Sequence, residues 1–342
     1  MFGVLPINKP PVRTSRDVCN RVERVVRPDK VGHTGTLDPM ATGVLLLAIG
    51  SAARLVEFSL GHTKEYEADF LLGQHSETLD TEATTQALDD PPIPTLEQLQ
   101  QAAEGWVGKV RQVPPKFSAI NVAGKRAYQL ARKGRDFELA AREIHILGIE
   151  ILAYRYPLLT LHIGCGSGTY IRSLGSDIAR QLGSDAVMSR LVRTRVGPFT
   201  LADCAELEQL TTVEQIADHL RPPQLLIADL QTILLDNEQV SAIRNGIPLW
   251  LPGTLPDRLV ATDQADQLIA VLTRCTRANS AAELPDETSR PSDQTLPSEN
   301  NLLPEKAAIP RDHRRYRSLR VFQASSDTSQ LSPINKKHNP ES

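Results

Sequence analysis

Short apolar runs, separated by glycine and proline, dominate the first two hundred residues, and their spacing predicts several β-strands. A buried strand appears as a continuous apolar run, whereas a half-buried strand alternates apolar and polar positions. Four segments have one of these patterns: 44–49, 64–72, 149–156 and 158–164. Only Pro157 separates the last two segments, whereas the others lie far apart in the chain and must be connected by other elements.

Helical patterns occupy much of the sequence between these strands. Capping residues and glycine stops mark their ends. The predicted helices are 52–60, with Ser51 as N-cap and Gly61 as stop, and 95–104, 126–135 and 170–182. Strands and helices that are interspersed in this way predict a fold that mixes α and β elements.

The last third of the chain has a different character. Residues 226–275 hold a few strand and helix patterns, enough for a small β-rich domain, and a strand-like segment at 317–323 could rejoin it. The polar, Pro- and Ser-rich stretch 276–302 is too poor in apolar residues to offset its ordering entropy. We therefore predict a large domain at 1–225, a small one at 226–275 with 303–323, a disordered insertion at 276–302 and a disordered tail at 324–342.

Composition indicates a globular protein of 342 residues, 40% of them hydrophobic, with a core large enough for two domains. No apolar run approaches the ~18 residues that span a bilayer, so we expect no membrane association and a cytoplasmic location. The four cysteines are widely separated and indicate reduced, mostly buried thiols rather than disulfides or a zinc site. A monomer is the default expectation.

Positive charge is concentrated in the middle of the chain. Residues 101–200 carry 15 Lys and Arg against 7 Asp and Glu, although the whole chain has a net charge of −3. Such an excess is compatible with a surface that follows nucleic-acid phosphates, although scattered lysines and arginines more often form an ordinary solvated face.

The stretch GHTGTLDPMATGVL, residues 32–45, places a single carboxylate, Asp38, on a loop that enters a buried strand. No second acid or metal-ligand cluster lies nearby, which argues against paired-carboxylate or metal-assisted hydrolysis. An ionised carboxylate can instead act as a nucleophile and form a covalent intermediate. The alternative is a structural aspartate that caps a turn before Pro39.

Four sequence blocks in one order resemble the TruB family of tRNA pseudouridine synthases. They are GHTGTLDPMATGVL, KEY at 64–66, VPPKFSAINVAGKRAY at 113–128, and GTYIRSL at 168–174 with RLVRTRVGPF at 190–199. The resemblance implies a fold of the α+β class, with a catalytic domain built on a central mixed, mainly antiparallel sheet flanked by helices, followed by a small β-rich PUA-like RNA-binding domain. It also implies isomerisation of uridine 55 in the tRNA T-loop to pseudouridine, without metal or cofactor.

The same resemblance assigns roles to individual residues. Asp38 matches the catalytic aspartate, Arg172 the arginine that pairs with it, and Tyr66 a ring on which the everted base stacks. His33, Tyr170 and Leu191 match positions around the uracil. Lys64 falls in a group expected to contact phosphates, which also comprises Lys116, Lys125, Arg126 and Arg132.

Some positions depart from the family pattern. PPVRTS at 10–15 varies the usual ProXaaGlyXaaThrSer, Ala83 replaces a glycine, Asn121 a lysine, and Ser167 a lysine or proline. None belongs to the predicted catalytic set.

Two other classes of protein remain open. A non-catalytic RNA-binding protein, such as a tRNA chaperone, would need the basic surface but not Asp38. A phosphotransferase could use an aspartyl nucleophile, but would usually bring a second acid and Mg²⁺.

Overall fold

A ten-stranded sheet forms the centre of the N-terminal part of the protein in a computed structural model that describes residues 1–122, 124–275 and 312–322. The chain separates into two units between Leu226 and Ile227. The insertion predicted at 276–302 and the tail predicted at 324–342 lie outside the described residues.

The first unit contains fourteen of the described strands: β1 (Gly3–Lys9), β2 (Val31–His33), β3 (Thr42–Ile49), β4 (Lys64–Leu72), β5 (Gln74–His75), β6 (Gln86–Ala87), β7 (Gly108–Gln112), β8 (Asn121–Val122), β9 (Lys125–Arg126), β10 (Arg142–Arg155), β11 (Leu158–Cys165), β12 (Ala186–Val196), β13 (Phe199–Thr200) and β14 (Ala205–Glu206). The main path through the large sheet runs β14-β1-β3-β12-β4-β11-β10-β7, with β2 paired to β3 and β13 to β12. Only the β1/β14 and β3/β12 pairs are parallel among these described strands, so the expectation of a mixed, mainly antiparallel sheet is confirmed.

Helices flank this sheet, at α1 (Ser15–Val25), α2 (Leu96–Glu104), α3 (Ala127–Ala131), α4 (Ile171–Gln181) and α5 (Val213–His219). Thr14 and Thr95 form capping boxes that satisfy the first amides of α1 and α2. One face of α1 is buried through Val18, Cys19 and Val22. The helices thereby cover the apolar side chains of the sheet and leave their polar faces to solvent.

The predicted helix at 52–60 is wrong. The chain there forms two 3₁₀ segments, Gly50–Leu55 and Ser59–Gly61, whose turns close by i to i+3 hydrogen bonds. Gly50 has φ +65° and donates its amide to the carbonyl of Lys30, so the segment begins tied to another strand rather than with a capped first turn.

The other predicted elements form, with different ends. The helix predicted at 126–135 is confined to Ala127–Ala131 because the chain turns at Gly134, where φ is +62°. The strand predicted at 149–156 begins earlier, at Arg142, because its first residues pair with β7. The other three strands, predicted at 44–49, 64–72 and 158–164, and the helices near 95–104 and 170–182 are confirmed.

The second unit is a β-rich domain with one described helix: β15 (Thr232–Leu234), α6 (Asn237–Arg244), β16 (Leu249–Pro252), β17 (Arg258–Thr262), β18 (Leu268–Arg274) and β19 (His313–Val321). Its five strands are ordered β15-β17-β18-β19-β16. Leu259, Ile269, Leu272 and Tyr316 form its core. The strand predicted at 317–323 therefore joins this sheet, although it begins at His313.

We expect Gly175→Ala to destabilise the protein, because a Cβ at this position in α4 would overlap the ring of Phe70 on β4. Alanine favours helix by about 1 kcal/mol, but overpacking a core costs about 1–3 kcal/mol or more, and the second effect should dominate. Urea unfolding measures the difference. Gly148→Ala is the control, since nothing lies within 4 Å of its Cβ. Equal stability of the two variants would contradict close packing of α4 on the sheet.

Candidate active site

The loop between β2 and β3 carries Asp38, and hydrogen bonds hold its backbone on both sides of that residue. The amide of Leu37 donates to Ser15 Oγ over 2.9 Å, and the carbonyl of Pro39 accepts from Lys9 Nζ over 3.0 Å. The amide of Ala41 closes a turn onto the carbonyl of Asp38 itself. The carboxylate is therefore presented by a fixed loop.

Arg172, in the first turn of α4, grips that carboxylate with two nitrogens. Its Nε lies 2.9 Å from Asp38 Oδ2, and its Nη2 donates to Asp38 Oδ1 over 3.3 Å. The arginine side chain is 7% exposed, whereas that of Asp38 is 33% exposed. The pair thus joins a buried cation to a carboxylate that is open to solvent on one side, and the fork fixes the plane of the carboxylate.

Three further acceptors orient the guanidinium from behind. Nη1 donates to the carbonyl of Thr78 over 2.6 Å and lies 3.3 Å from Asp80 Oδ2, while Nη2 also donates to the carbonyl of Phe117. Leu79, between the first two of these acceptors, has φ +60°, a strained conformation for leucine. That conformation lets the carbonyl of Thr78 and the carboxylate of Asp80 approach the same guanidinium nitrogen, Nη1.

Lys9, at the end of β1, anchors the loop that carries Asp38. Its side chain is buried, and its ammonium donates to the carbonyls of Pro10, Arg13 and Pro39. Burial lowers the pKa of Lys9 to about 8, while the nearby carboxylates of Glu82 and Asp38 oppose that shift. One buried cation therefore ties the turn after β1 to the residue that follows Asp38.

Tyr66 lies on β4, in register with Arg193 of β12 and Ile163 of β11. It is 8% exposed, and burial raises the pKa of its hydroxyl. Arg193 hydrogen-bonds the Tyr66 side chain and donates from Nε to the carbonyl of Val44, so it braces the ring against β3. The charge of Asp38 also acts on the Tyr66 hydroxyl, which places the two side chains in one neighbourhood.

The remaining predicted contacts surround the same loop. His33 ends β2; burial lowers the pKa of its imidazole, and its buried Nδ1 has no hydrogen-bond partner in the described part of the chain. Tyr170 precedes α4 and is clamped by Gln112, which accepts from its amide and donates to its carbonyl. Leu191 is buried on β12 and lines a groove with Met40.

Lys64 is buried rather than exposed. Its ammonium donates to the carbonyl of His62 and to Ser167 Oγ, and burial lowers its pKa to about 8. It therefore braces the turn that leads to Tyr170 instead of standing on a surface. Lys116 is exposed but paired with Asp136 over 3.1 Å.

A groove of about 610 Å³ opens beside the loop that carries Asp38. It is lined by Val12, Pro39, Met40, Thr42, Thr81, Glu82, Ser189, Arg190 and Leu191. Burial, followed by the charges of Asp80 and Asp38, raises the pKa of Glu82.

Within residues 1–122, 124–275 and 312–322, no group of three His, Cys, Asp or Glu residues is arranged to hold a metal ion. No helix in this part of the chain has both the length and the apolar character needed to cross a bilayer.

Sequence reasoning missed four residues that organise this site: Lys9, Asp80, Gln112 and Arg193. Asp80 lies in an acid-rich stretch and looked like its solvent-exposed neighbours. Arg193 lies in the basic segment and in the matched block 190–199, neither of which gives it an individual role. The signal that could have identified Lys9 is a charged residue at an apolar position of a strand, because a buried lysine requires hydrogen-bond partners.

Comparison with known proteins assigns this arrangement to a class. Residues 23–171 match the N-terminal domain model of the TruB family of pseudouridylate synthases, and residues 172–240 match the C-terminal domain model of tRNA pseudouridylate synthase B. The chain is 43% identical over 261 residues to tRNA pseudouridine synthase B of Rhodopirellula baltica, covering 72% of this chain and 75% of that protein. It is 38% identical over 277 residues to the protein of the same name from Dehalococcoides mccartyi, covering 80% and 92%.

A solved structure supports the same assignment. A chain in the crystal structure of a Cbf5-Nop10-Gar1 complex aligns with a TM-score of 0.63 and 27% identity over 80% of this chain and 78% of its own length. The central sheet and its flanking helices are thus a pseudouridine-synthase-type fold. The chain belongs to the TruB family of pseudouridylate synthases.

We expect Asp80→Asn to destabilise the folded protein by about 3 kcal/mol, because it leaves the buried Arg172 with one charged partner fewer. Chemical denaturation measures this loss in the free energy of unfolding, provided that the folded and unfolded baselines are both well defined. Asp69→Asn is a suitable control, since Asp69 pairs with the half-exposed Arg190 and its loss should cost no more than about 1 kcal/mol. If both variants lose the same stability, Asp80 does not support Arg172.

Proposed function

We propose that this protein isomerises uridine 55 in the T-loop of tRNA to pseudouridine, with Asp38 as the nucleophile. One observation carries the proposal: a fixed carboxylate beside an open groove is held in a two-nitrogen fork by a buried arginine. Family membership and the names of the relatives support tRNA pseudouridylation as the activity. The position in the tRNA and the nucleophile are the finer parts of the proposal.

The reaction moves one glycosidic bond without net oxidation or reduction. The bond between N1 of the base and C1′ of the ribose breaks, a bond between C5 and C1′ forms, a proton leaves C5 and N1 gains one. Two carbons are open to attack by the carboxylate: C6 of the base and C1′ of the ribose. In either route the Asp38 oxygen forms a bond that is released before the product leaves.

Arg172 suits this task because its fork keeps the carboxylate charged and directed while leaving lone pairs on both oxygens for the substrate. The base must leave the RNA stack to reach Asp38, at a cost of a few kcal/mol. We assign Tyr66 as the ring that receives it, with Leu191 as an apolar wall and with Tyr170 and His33 as polar contacts.

Arginines on α1 and just after it supply a phosphate-binding surface outside the basic segment predicted from the sequence. Arg16 and Arg24 of α1, and Arg27 two residues beyond its end, are exposed, and in the described part of the chain their guanidinium groups make no ion pair or hydrogen bond. The neighbouring carboxylates are engaged elsewhere, since Asp17 caps the helix and Glu23 accepts from the chain that follows it. The charge of Arg16 also acts on His33, so this surface begins at the edge of the site.

We expect Arg24→Gln to lower the salt dependence of tRNA binding by about one unit of slope in a plot of log K against log salt, because one phosphate contact is lost. Filter binding or anisotropy at several salt concentrations measures it. Arg155→Gln, an exposed arginine at the end of β10, is the matched control and should leave the slope unchanged. Equal slopes for both variants would remove α1 from the RNA interface.

We expect Asp38→Asn to abolish pseudouridine formation, because an amide is a poor nucleophile, while tRNA affinity stays within a few-fold. Tritium release from tRNA that carries 5-tritiated uridine measures turnover, and chemical mapping of the product locates the modified position. Arg172→Lys should also lose most activity, because an ammonium cannot reproduce the fork.

Three results would contradict this proposal. An active Asp38→Asn variant would exclude the nucleophile, and modification elsewhere in the tRNA would exclude the assigned position. Wild-type protein that binds tRNA tightly without releasing tritium would favour the non-catalytic RNA-binding alternative.

A further inference from the structure

Two features of Val12 are unfavourable for the stability of the protein in the absence of a ligand. It adopts φ +66°, the left-handed region that a β-branched side chain strongly disfavours. Its side chain is 86% exposed, so its isopropyl group gains almost nothing from packing in the folded protein. Glycine, the residue that the family pattern has at this position, would adopt the same conformation without strain.

The surrounding structure holds Val12 in this conformation. The buried ammonium of Lys9 binds the carbonyls of Pro10 and Arg13 on either side of it, and Thr14 starts the capping box of α1 directly afterwards. The turn therefore has little freedom to relax. A strained conformation that is held in this way is characteristic of functional positions.

The location of Val12 indicates what the side chain is for. It lines the groove beside the catalytic loop, together with the apolar side chains of Pro39, Met40 and Leu191. The same Lys9 ammonium that fixes its turn also binds the carbonyl of Pro39, next to Asp38. Val12 is thus held in fixed relation to the catalytic loop, with its apolar group at the rim of the groove.

We propose that Val12 is an RNA-contact residue, whose isopropyl group packs against the apolar face of an unpaired nucleotide next to the target when tRNA fills the groove. This inference rests on the proposed function for the identity of the ligand. Unstacked nucleotides expose apolar base and ribose faces, which pack on apolar side chains without sequence-specific hydrogen bonds. The contact buries in the complex a group that the free protein leaves exposed.

The proposal predicts opposite effects on stability and on binding for Val12→Gly. Relief of the left-handed strain should leave the melting temperature equal to or a few degrees above that of the wild type. Loss of the apolar contact should weaken tRNA binding and raise KM by about 10-fold, with kcat within about two-fold. A merely structural residue would not separate KM from kcat in this way.

Two further variants isolate the contact from the backbone. Val12→Thr keeps the branched shape and the backbone strain but replaces a methyl group by a hydroxyl, so it should weaken binding without raising the melting temperature. Ile93→Thr makes a similar exchange at an exposed apolar residue that does not line the groove, and should leave binding unchanged.

The outcomes separate this proposal from the proposed function. Unchanged Kd and KM in both Val12 variants would overturn the contact, whatever their stability. If wild-type protein binds tRNA but releases no tritium, the isomerase fails while Kd still decides the role of Val12. If wild-type protein does not bind tRNA, both proposals fail.

Discussion

The orientation of one buried guanidinium underlies the whole arrangement of the candidate active site. Arg172 is held by the carbonyls of Thr78 and Phe117 and by two carboxylates, from Asp38 and Asp80. A buried cation with poor partners would be strongly destabilising, so these acceptors must be in place for the fold to tolerate it. The same acceptors come from three distant parts of the chain, which makes the site a consequence of the assembled domain.

Buried lysines play a supporting role of the same kind. Lys9 holds the turn after β1 and the catalytic loop with one ammonium, and Lys64 holds the turn that leads into α4. Each ammonium group loses its hydration on burial and is stabilised instead by hydrogen bonds to carbonyl or hydroxyl oxygens. Burial lowers the pKa of both groups to about 8, a sign of how much hydration they have given up. Loops that carry functional side chains are thereby fixed without being covered by regular structure.

The charge that the protein presents around the groove depends on which ionised groups already have partners. Carboxylates near the site are engaged with Arg172 or with backbone groups, while the exposed arginines of α1 lack such partners in the described part of the chain. A chain with a net charge of −3 can therefore still present a positive surface to a polyanion. Val12 adds an apolar element at the rim of this groove.

The sequence by itself determined that the fold mixes α and β elements, most strands and helices, and the placement of Asp38 on a loop before a buried strand, because these depend on local periodicity and turn chemistry. Motif resemblance added the α+β class and singled out Arg172 and Tyr66. Only the tertiary structure decided that Arg172 is shared with Asp80, that Lys64 is buried, and that residues 50–61 form 3₁₀ turns. These features arise from contacts between residues far apart in the chain, and an acid or a lysine looks the same in a sequence whether it is solvated or buried against a partner.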